Sequence, residues 1–261
     1  VTRLDIDRPA TGVLRLRMNG PDTLNALDEG VKAQLVAALQ DAAADREARV
    51  VLLTGTGRAF SAGGDIRAMG TRSAAGTIDV LTFGREITEG IAGLQKPVVA
   101  AVNGLASGAG FNLALASDII VASPAWFQQS FIRMGLMPDM GGTYLLAQAI
   151  GLHRAKAALL TAHRFSTDEA TALGFVSQVF DGDGDFDADA VAYCADLAKR
   201  APLALGLTKL LANRSVDGTL ADALDRETLA QAVLSSTSDH KSAVEAFLAK
   251  RSLDDLVFTG E

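Results

Sequence analysis

Residues 104–143 read GLASGAGFNLALASDIIVASPAWFQQSFIRMGLMPDMGGT. Small residues over Asn103–Gly108 make a turn that feeds the apolar run Ala109 to Ser117, a helix followed by the short strand Ile119–Ala122. A turn of this kind presents backbone N–H groups with no side chain in the way, and the first N–H groups of a helix lack intrahelical acceptors. The stretch ends in Pro138-Asp139-Met140-Gly141-Gly142-Thr143, which supplies a carboxylate. Asp118 is the other acid here and sits at the far end of the helix. N–H donors for an oxyanion and one nearby base are what a thioester enolate requires.

Outward from this stretch, the same order of elements recurs. Val13–Met18 alternates at period two and stops at Asn19-Gly20-Pro21, a strand and a turn. Asp28 is placed to cap a helix whose apolar positions are Val31, Leu35, Val36 and Leu39. Val50–Thr54 and Pro97–Val102 are continuous apolar runs, the mark of strands covered on both faces. Between them, Ala59–Ile66 carries a second glycine turn, Gly63-Gly64, and residues 78–94 predict an amphipathic helix with Ile78, Leu81, Ile87, Ile91 and Leu94 on its apolar side. Helices are then expected over 152–162, 167–173, 187–201, 203–214, 217–236 and 239–250, with Asp181–Asp185 as a solvated acidic turn. The fold class is α/β, with a core over residues 1–200 and a helical C-terminal region over 201–261.

The chain has 261 residues, 49% of them apolar and 21% charged, with 31 acids against 24 Lys and Arg. A net charge of −7 without basic clusters argues against a nucleic-acid surface. No apolar run approaches the roughly twenty residues that span a bilayer, and no signal peptide is visible, so a cytoplasmic location is expected. The lone Cys194 falls at an apolar helical position and reads as core. His153, His163 and His240 lack a matching nucleophile, and Glu86 and Glu89 read as a solvated helix face. Trp126 and Phe127 are expected at a pocket wall. Asp139 has two readings on residues alone: cap of a helix over 142–150, or base.

The strings NALD, GRAFSAGGDI, KPVVAAVNGLASGAGFNLALASDI and GLMPDMGGT, with TKLL and AFLAKR later, resemble the enoyl-CoA hydratase/isomerase (crotonase) superfamily over nearly the whole length. The resemblance implies a spiral of repeated ββα units and a C-terminal helical region that assembles trimers, often paired into hexamers. It implies an acyl-CoA thioester as substrate, with coenzyme A as part of that substrate and no separate cofactor. The two oxyanion donors would be the N–H groups of Gly64 and Ala109, the alanine narrowing the slot by a methyl. The coenzyme A side would be lined by Ala26, Ala62, Gly63, Asp65 and Ile66, while Phe247 and Lys250 would reach a neighbour's site.

Two departures from the hydratase pattern matter. The positions of the two hydratase glutamates hold Asn112 and Phe131, neither of which titrates usefully. Asp139 stands where isomerases of the superfamily place their acid, and the combination with Phe131 and Gly141-Gly142-Thr143 resembles the ring-epoxide isomerase branch. An enoyl-CoA isomerase is therefore expected, with Asp139 as base. The alternatives are hydration, ring-epoxide isomerisation, dehalogenation (weakened because residues 78–94 hold no histidine) and non-catalytic acyl-CoA binding.

Overall fold

The protein is described by a computed structural model covering residues 1–68, 73–180 and 184–261. Residues 181–183 of the acidic turn thus lie outside the described residues.

The strands are β1 (Arg3–Ala10), β2 (Val13–Asn19), β3 (Val50–Gly55), β4 (Ala59–Ser61), β5 (Val98–Val102), β6 (Leu105–Ser107), β7 (Ile119–Ala122), β8 (Trp126–Gln128), β9 (Arg164–Ser166) and β10 (Gln178–Val179). The helices are α1 (Glu29–Ala44), α2 (Ala74–Gly93), α3 (Ala109–Ala116), α4 (Gly142–Ile150), α5 (Leu152–Thr161), α6 (Thr167–Ala172), α7 (Phe186–Leu197), α8 (Pro202–Ser215), α9 (Leu220–Ser236) and α10 (Ser238–Leu248).

One sheet runs β1-β2-β3-β5-β7-β10, and a smaller one runs β4-β6-β8-β9. Within the first, β2 through β10 are parallel and β1 returns antiparallel as a hairpin. Each of β3, β5 and β7 is followed by a strand of the smaller sheet, and the next α-helices along the chain are α2, α3 and α4 in turn. These are the expected ββα units. The helices α1, α2, α3 and α4 pack in sequence against one another.

The period of two along β3 divides the core. Val51 and Leu53 enter the main cluster with Leu35, Leu39, Ile87, Ile91 and Leu113, under α1, α2 and α3. Val50 and Leu52 point the other way and pack with Ala190, Cys194 and Ala198 of α7. A strand covered by helices on both sides has no reason to alternate with polar residues, which is why VVLLT reads as a continuous run. The next strand, β2, does alternate, and its Arg15 and Arg17 both bond Asp187 of α7 at 2.5 Å.

Several expectations change. Ile78 and Leu81 are 65% and 41% exposed, because α2 buries only Gly84, Ile87 and Ile91 toward its C-terminal half. The presumed turn Asn103–Gly108 contains β6, whose three residues are too few to show a period. The strands β1, β4, β8, β9 and β10 had no expectation attached. Phe127 packs with Phe111 and Phe175 in an aromatic cluster, whereas Trp126 stands half exposed with Arg164 stacked 3.9 Å from its ring. Cys194 is buried, and burial pushes its thiol up to about 12. All three histidines and both Glu86 and Glu89 lie at the surface, His163 against Glu169 and Glu89 against Arg85. Among the described residues no helix is long and apolar enough to cross a membrane.

Candidate active site

The site lies where the chain leaves the large sheet for the small one. Asn25 pins the first wall: its side chain accepts from the Gly20 N–H and donates to the Thr56 and Ala59 carbonyls, at 2.8, 3.0 and 2.7 Å. The backbone beside it then runs along the first glycine turn, with Ala62 N–H donating to Leu24 and Leu27 N–H donating to the Gly63 carbonyl, both at 2.8 Å. Ala26, Ala62, Gly63 and Gly64 thereby form one strip, bridged through Leu27 and Gly64. Asp65 and Ile66 continue it. The Asp65 carboxylate pairs with Arg67 at 3.0 Å, which holds it below the usual carboxylate range, and Ile66 stands exposed.

The second glycine turn packs directly on the first. Gly63 has φ +93°, and a Cβ there would lie 2.6 Å from the Ser107 carbonyl oxygen and 3.2 Å from the Ala109 nitrogen. Both facts demand glycine. Gly108 caps α3 with φ 54°, ψ −124°, so Ala109 is the first helical residue and its N–H has no intrahelical acceptor. Among the described residues, no backbone oxygen takes the N–H of Gly64 or of Ala109. The structure therefore brings the two expected donors into adjacent turns.

Phe131 lies against this place, its ring 3.6 Å from where a Gly108 Cβ would be. Three residues on from Ala109, and hence on the same side of α3, sits Asn112, wholly buried. Its Nδ2 donates to the backbone carbonyl of Asp139 at 2.9 Å. That bond brings the Asp139 loop to the donor turns.

Asp139 does not cap the following helix. The N-cap of α4 is Gly141, without a side-chain cap bond, because Met140 (φ 46°) and Gly141 (φ 77°) reverse the backbone between Asp139 and the helix. The Asp139 Oδ1 is buried and has no hydrogen-bond partner. Burial raises the carboxyl above its ordinary pKa, while the Lys32 charge and the Asn112 side chain pull it the other way. A buried acceptor left open is a group whose partner is a proton or a ligand.

Asp118, the other acid of the stretch, is spent elsewhere. It pairs with Lys209 of α8 at 2.7 Å and accepts from the Val98 N–H at 2.7 Å. Phe247 and Lys250 lie at the far end of α10, which packs on α9, and Phe247 is 71% exposed. The main contacts of α10 do not include β4, α3 or the Asp139 loop. The structure thus gathers the donors, the strip and Asp139 within one chain, and leaves Phe247 and Lys250 apart from them.

Two participants escaped the sequence reading. Lys32, buried on α1, acts electrostatically on Asp139; a lysine directly beside Val31 in an apolar stripe was the available signal. Gln129, also buried, donates to the Asn112 Oδ1 at 2.5 Å, and no local pattern announces it.

Comparison with known proteins gives the family. The family model described as enoyl-CoA hydratase/isomerase matches residues 8–255. The 1,2-epoxyphenylacetyl-CoA isomerase of Escherichia coli (strain K12) is 37% identical over 255 residues, covering 96% of this chain and 96% of that protein. A probable enoyl-CoA hydratase of Rhodobacter capsulatus is 37% identical over 245 residues, covering 92% of this chain and 93% of that protein. The crystal structure of a putative enoyl-CoA hydratase from Streptomyces coelicolor superimposes with a TM-score of 0.93 at 32% identity, covering 99% of this chain and 94% of that one. From residue 8 to residue 255 this chain belongs to the enoyl-CoA hydratase/isomerase family.

Proposed function

We propose that the chain is an enoyl-CoA isomerase that shifts a double bond in an unsaturated acyl-CoA thioester. The thioester carbonyl accepts from the N–H groups of Gly64 and Ala109. Asp139 takes a proton from the carbon next to the double bond, the negative charge moves to the thioester oxygen, and the two N–H groups stabilise it there. The same carboxyl then delivers the proton to the other end of the conjugated system. Coenzyme A enters and leaves as part of the substrate, along Ala26, Ala62, Gly63, Asp65 and Ile66, and the reaction needs no separate cofactor.

The observation that carries this reading is the buried Asp139 Oδ1 without a partner. A base held above its ordinary pKa in a dry site is better matched to a weak carbon acid than a solvated carboxylate. Hydration needs a positioned water and proton transfer at two carbons, yet the positions that the resemblance gives to its two glutamates hold Asn112, hydrogen-bonded at both ends of its amide, and the Phe131 ring. Ring-epoxide isomerisation is the second reading, favoured by the epoxide-isomerase name of the Escherichia coli relative.

The assembly belongs to the same proposal: a homotrimer or a dimer of trimers, built by residues 201–261, in which Phe247 and Lys250 meet a neighbour's coenzyme A. Helix α9 packs on α8 and α10 without fully burying any residue, and it exposes Leu220, Leu224, Leu229 and Val233.

The test is conversion of 3-hexenoyl-CoA to 2-hexenoyl-CoA by wild type and Asp139→Asn. Turnover should fall at least about a thousandfold, within the range attributed to general acid–base groups. Unchanged turnover overturns the assignment.

A further inference from the structure

Asn112 has no solvent to satisfy its amide, so both ends of that amide must find partners within the protein. Both do. Its Nδ2 donates to the Asp139 carbonyl at 2.9 Å, and its Oδ1 accepts from Gln129 Nε2 at 2.5 Å. The same Asp139 carbonyl accepts from the Gly142 N–H at 2.8 Å. A Cβ on Gly142 would lie 2.2 Å from the Asn112 Oδ1, so the amide fills space that only a glycine leaves. Helix α3, the segment after β8 and the start of α4 all meet on this one side chain.

The backbone there is under constraint. Met140 and Gly141 both have positive φ, and Met140 is a residue that pays a steric penalty for it. Such a reversal persists when its surroundings hold it. On the other side, the Thr88 hydroxyl contacts the Met140 carbonyl at 3.2 Å. Asp139 is therefore gripped through its peptide, while its Oδ1 is left without a bond.

We propose that Asn112 is a positioning residue: by holding the Asp139 peptide to α3, it aims the carboxylate at the acyl carbon while leaving that carboxylate free to accept a proton. The helix that carries the hold also carries the Ala109 donor one turn earlier. A single rigid element thus sets the distance from oxyanion donor to base. The Asp139 carbonyl can only accept, which fixes the Asn112 amide with its Nδ2 toward Asp139, and Gln129 stands behind and takes up the Oδ1. The proposal rests on the reading of Asp139 as the base.

The variants Asn112→Leu and Gln129→Leu test it, with 3-hexenoyl-CoA as probe and Asp139→Asn measured alongside. Displacing a reacting group by about 1 Å costs on the order of a hundredfold, so N112L should lose about that much kcat. KM should stay within about threefold, since the coenzyme A strip is untouched. The acid limb of the kcat profile should move to higher pH, because a group that favours the carboxylate has gone. Q129L should show a smaller change in the same directions. A side chain that only stabilises the fold would lower the melting temperature and leave kcat and the acid limb of the folded enzyme in place; that result overturns the proposal. If N112L does not fold, the acid limb and kcat of Q129L decide by the same criteria. Wild-type turnover in D139N would sink the base assignment and this proposal together, whereas an inert D139N beside unaltered Asn112 and Gln129 variants sinks this proposal alone.

Discussion

Asp139 combines a raised pKa with an unpaired buried oxygen, and the two have a consequence for stability as well as for rate. Its carboxyl ionises less readily in the folded chain than in the unfolded one. Its contribution to stability is then full below the ordinary aspartate pKa of about 3.9 and is lost as pH rises through the raised value. D139N should accordingly be more stable than wild type at pH 7, and this advantage should vanish near pH 3.5. Thermal melts at both pH values check this; a destabilised D139N at pH 7 would contradict it. Lys32 works in the opposite sense, so Lys32→Met should move the acid limb of kcat to higher pH. The Asp139 loop and the two glycine turns could be marked in the sequence, because glycine turns and a P-D-x-G-G loop are local patterns, while the positions Gly64 and Ala109 within them came from the family resemblance. The work of Asn112 was legible only as the absence of a glutamate. Its partners are 17 and 27 residues away along the chain, and no local rule pairs them.

At the scale of elements, the buried strands and the helices of the core could be read because each carries a period or a continuous apolar run. The strands β4, β6, β8 and β9 could not: three residues hold one and a half periods, and their pairing is set by the large sheet beneath them. The exposed start of α2 misled for a related reason, since Ile78 and Leu81 continue a helical spacing beyond the part of the helix that the core covers. The contact between the glycine turns belongs to this scale as well. Gly63→Ala should force them apart and reduce kcat at least about a hundredfold, because the added Cβ would stand 2.6 Å from the Ser107 oxygen and the donors would move. Steady-state kinetics beside circular dichroism separates this from unfolding. The tie between α8 and the core offers a second test. Burial pushes Asp118 up and Lys209 down, so desolvation opposes the charges that the pairing favours. Lys209→Ala leaves the Asp118 carboxylate buried and should cost about 3–5 kcal/mol, whereas D118N with K209M should recover most of it. Urea unfolding of the three proteins measures both.

Over the whole molecule, the sheet divides one core under α1, α2 and α3 from a second against α7, while α9 stands outside both. Apolar residues that a chain does not cover itself are a surface for another chain. Light scattering behind a sizing column should give a mass of three or six chains, and the pair L229D with V233D on α9 should reduce it. A monodisperse monomer at micromolar concentration would contradict the proposed assembly. The α/β class could be read from order and spacing, and the family from the resemblance that its motifs carry. What the surface of α9 meets could not, since exposed leucines at helical spacing look the same in a sequence whether they face a core or a neighbour.

The central claim is that Asp139 moves a proton on the acyl chain of a coenzyme A thioester. Incubation of wild type and D139N with 3-hexenoyl-CoA in deuterated water, followed by mass spectrometry of the recovered thioester, tests it without assuming the product. Deuterium should enter the acyl chain with wild type and not with D139N. Equal incorporation by both proteins, or none by wild type, would contradict it.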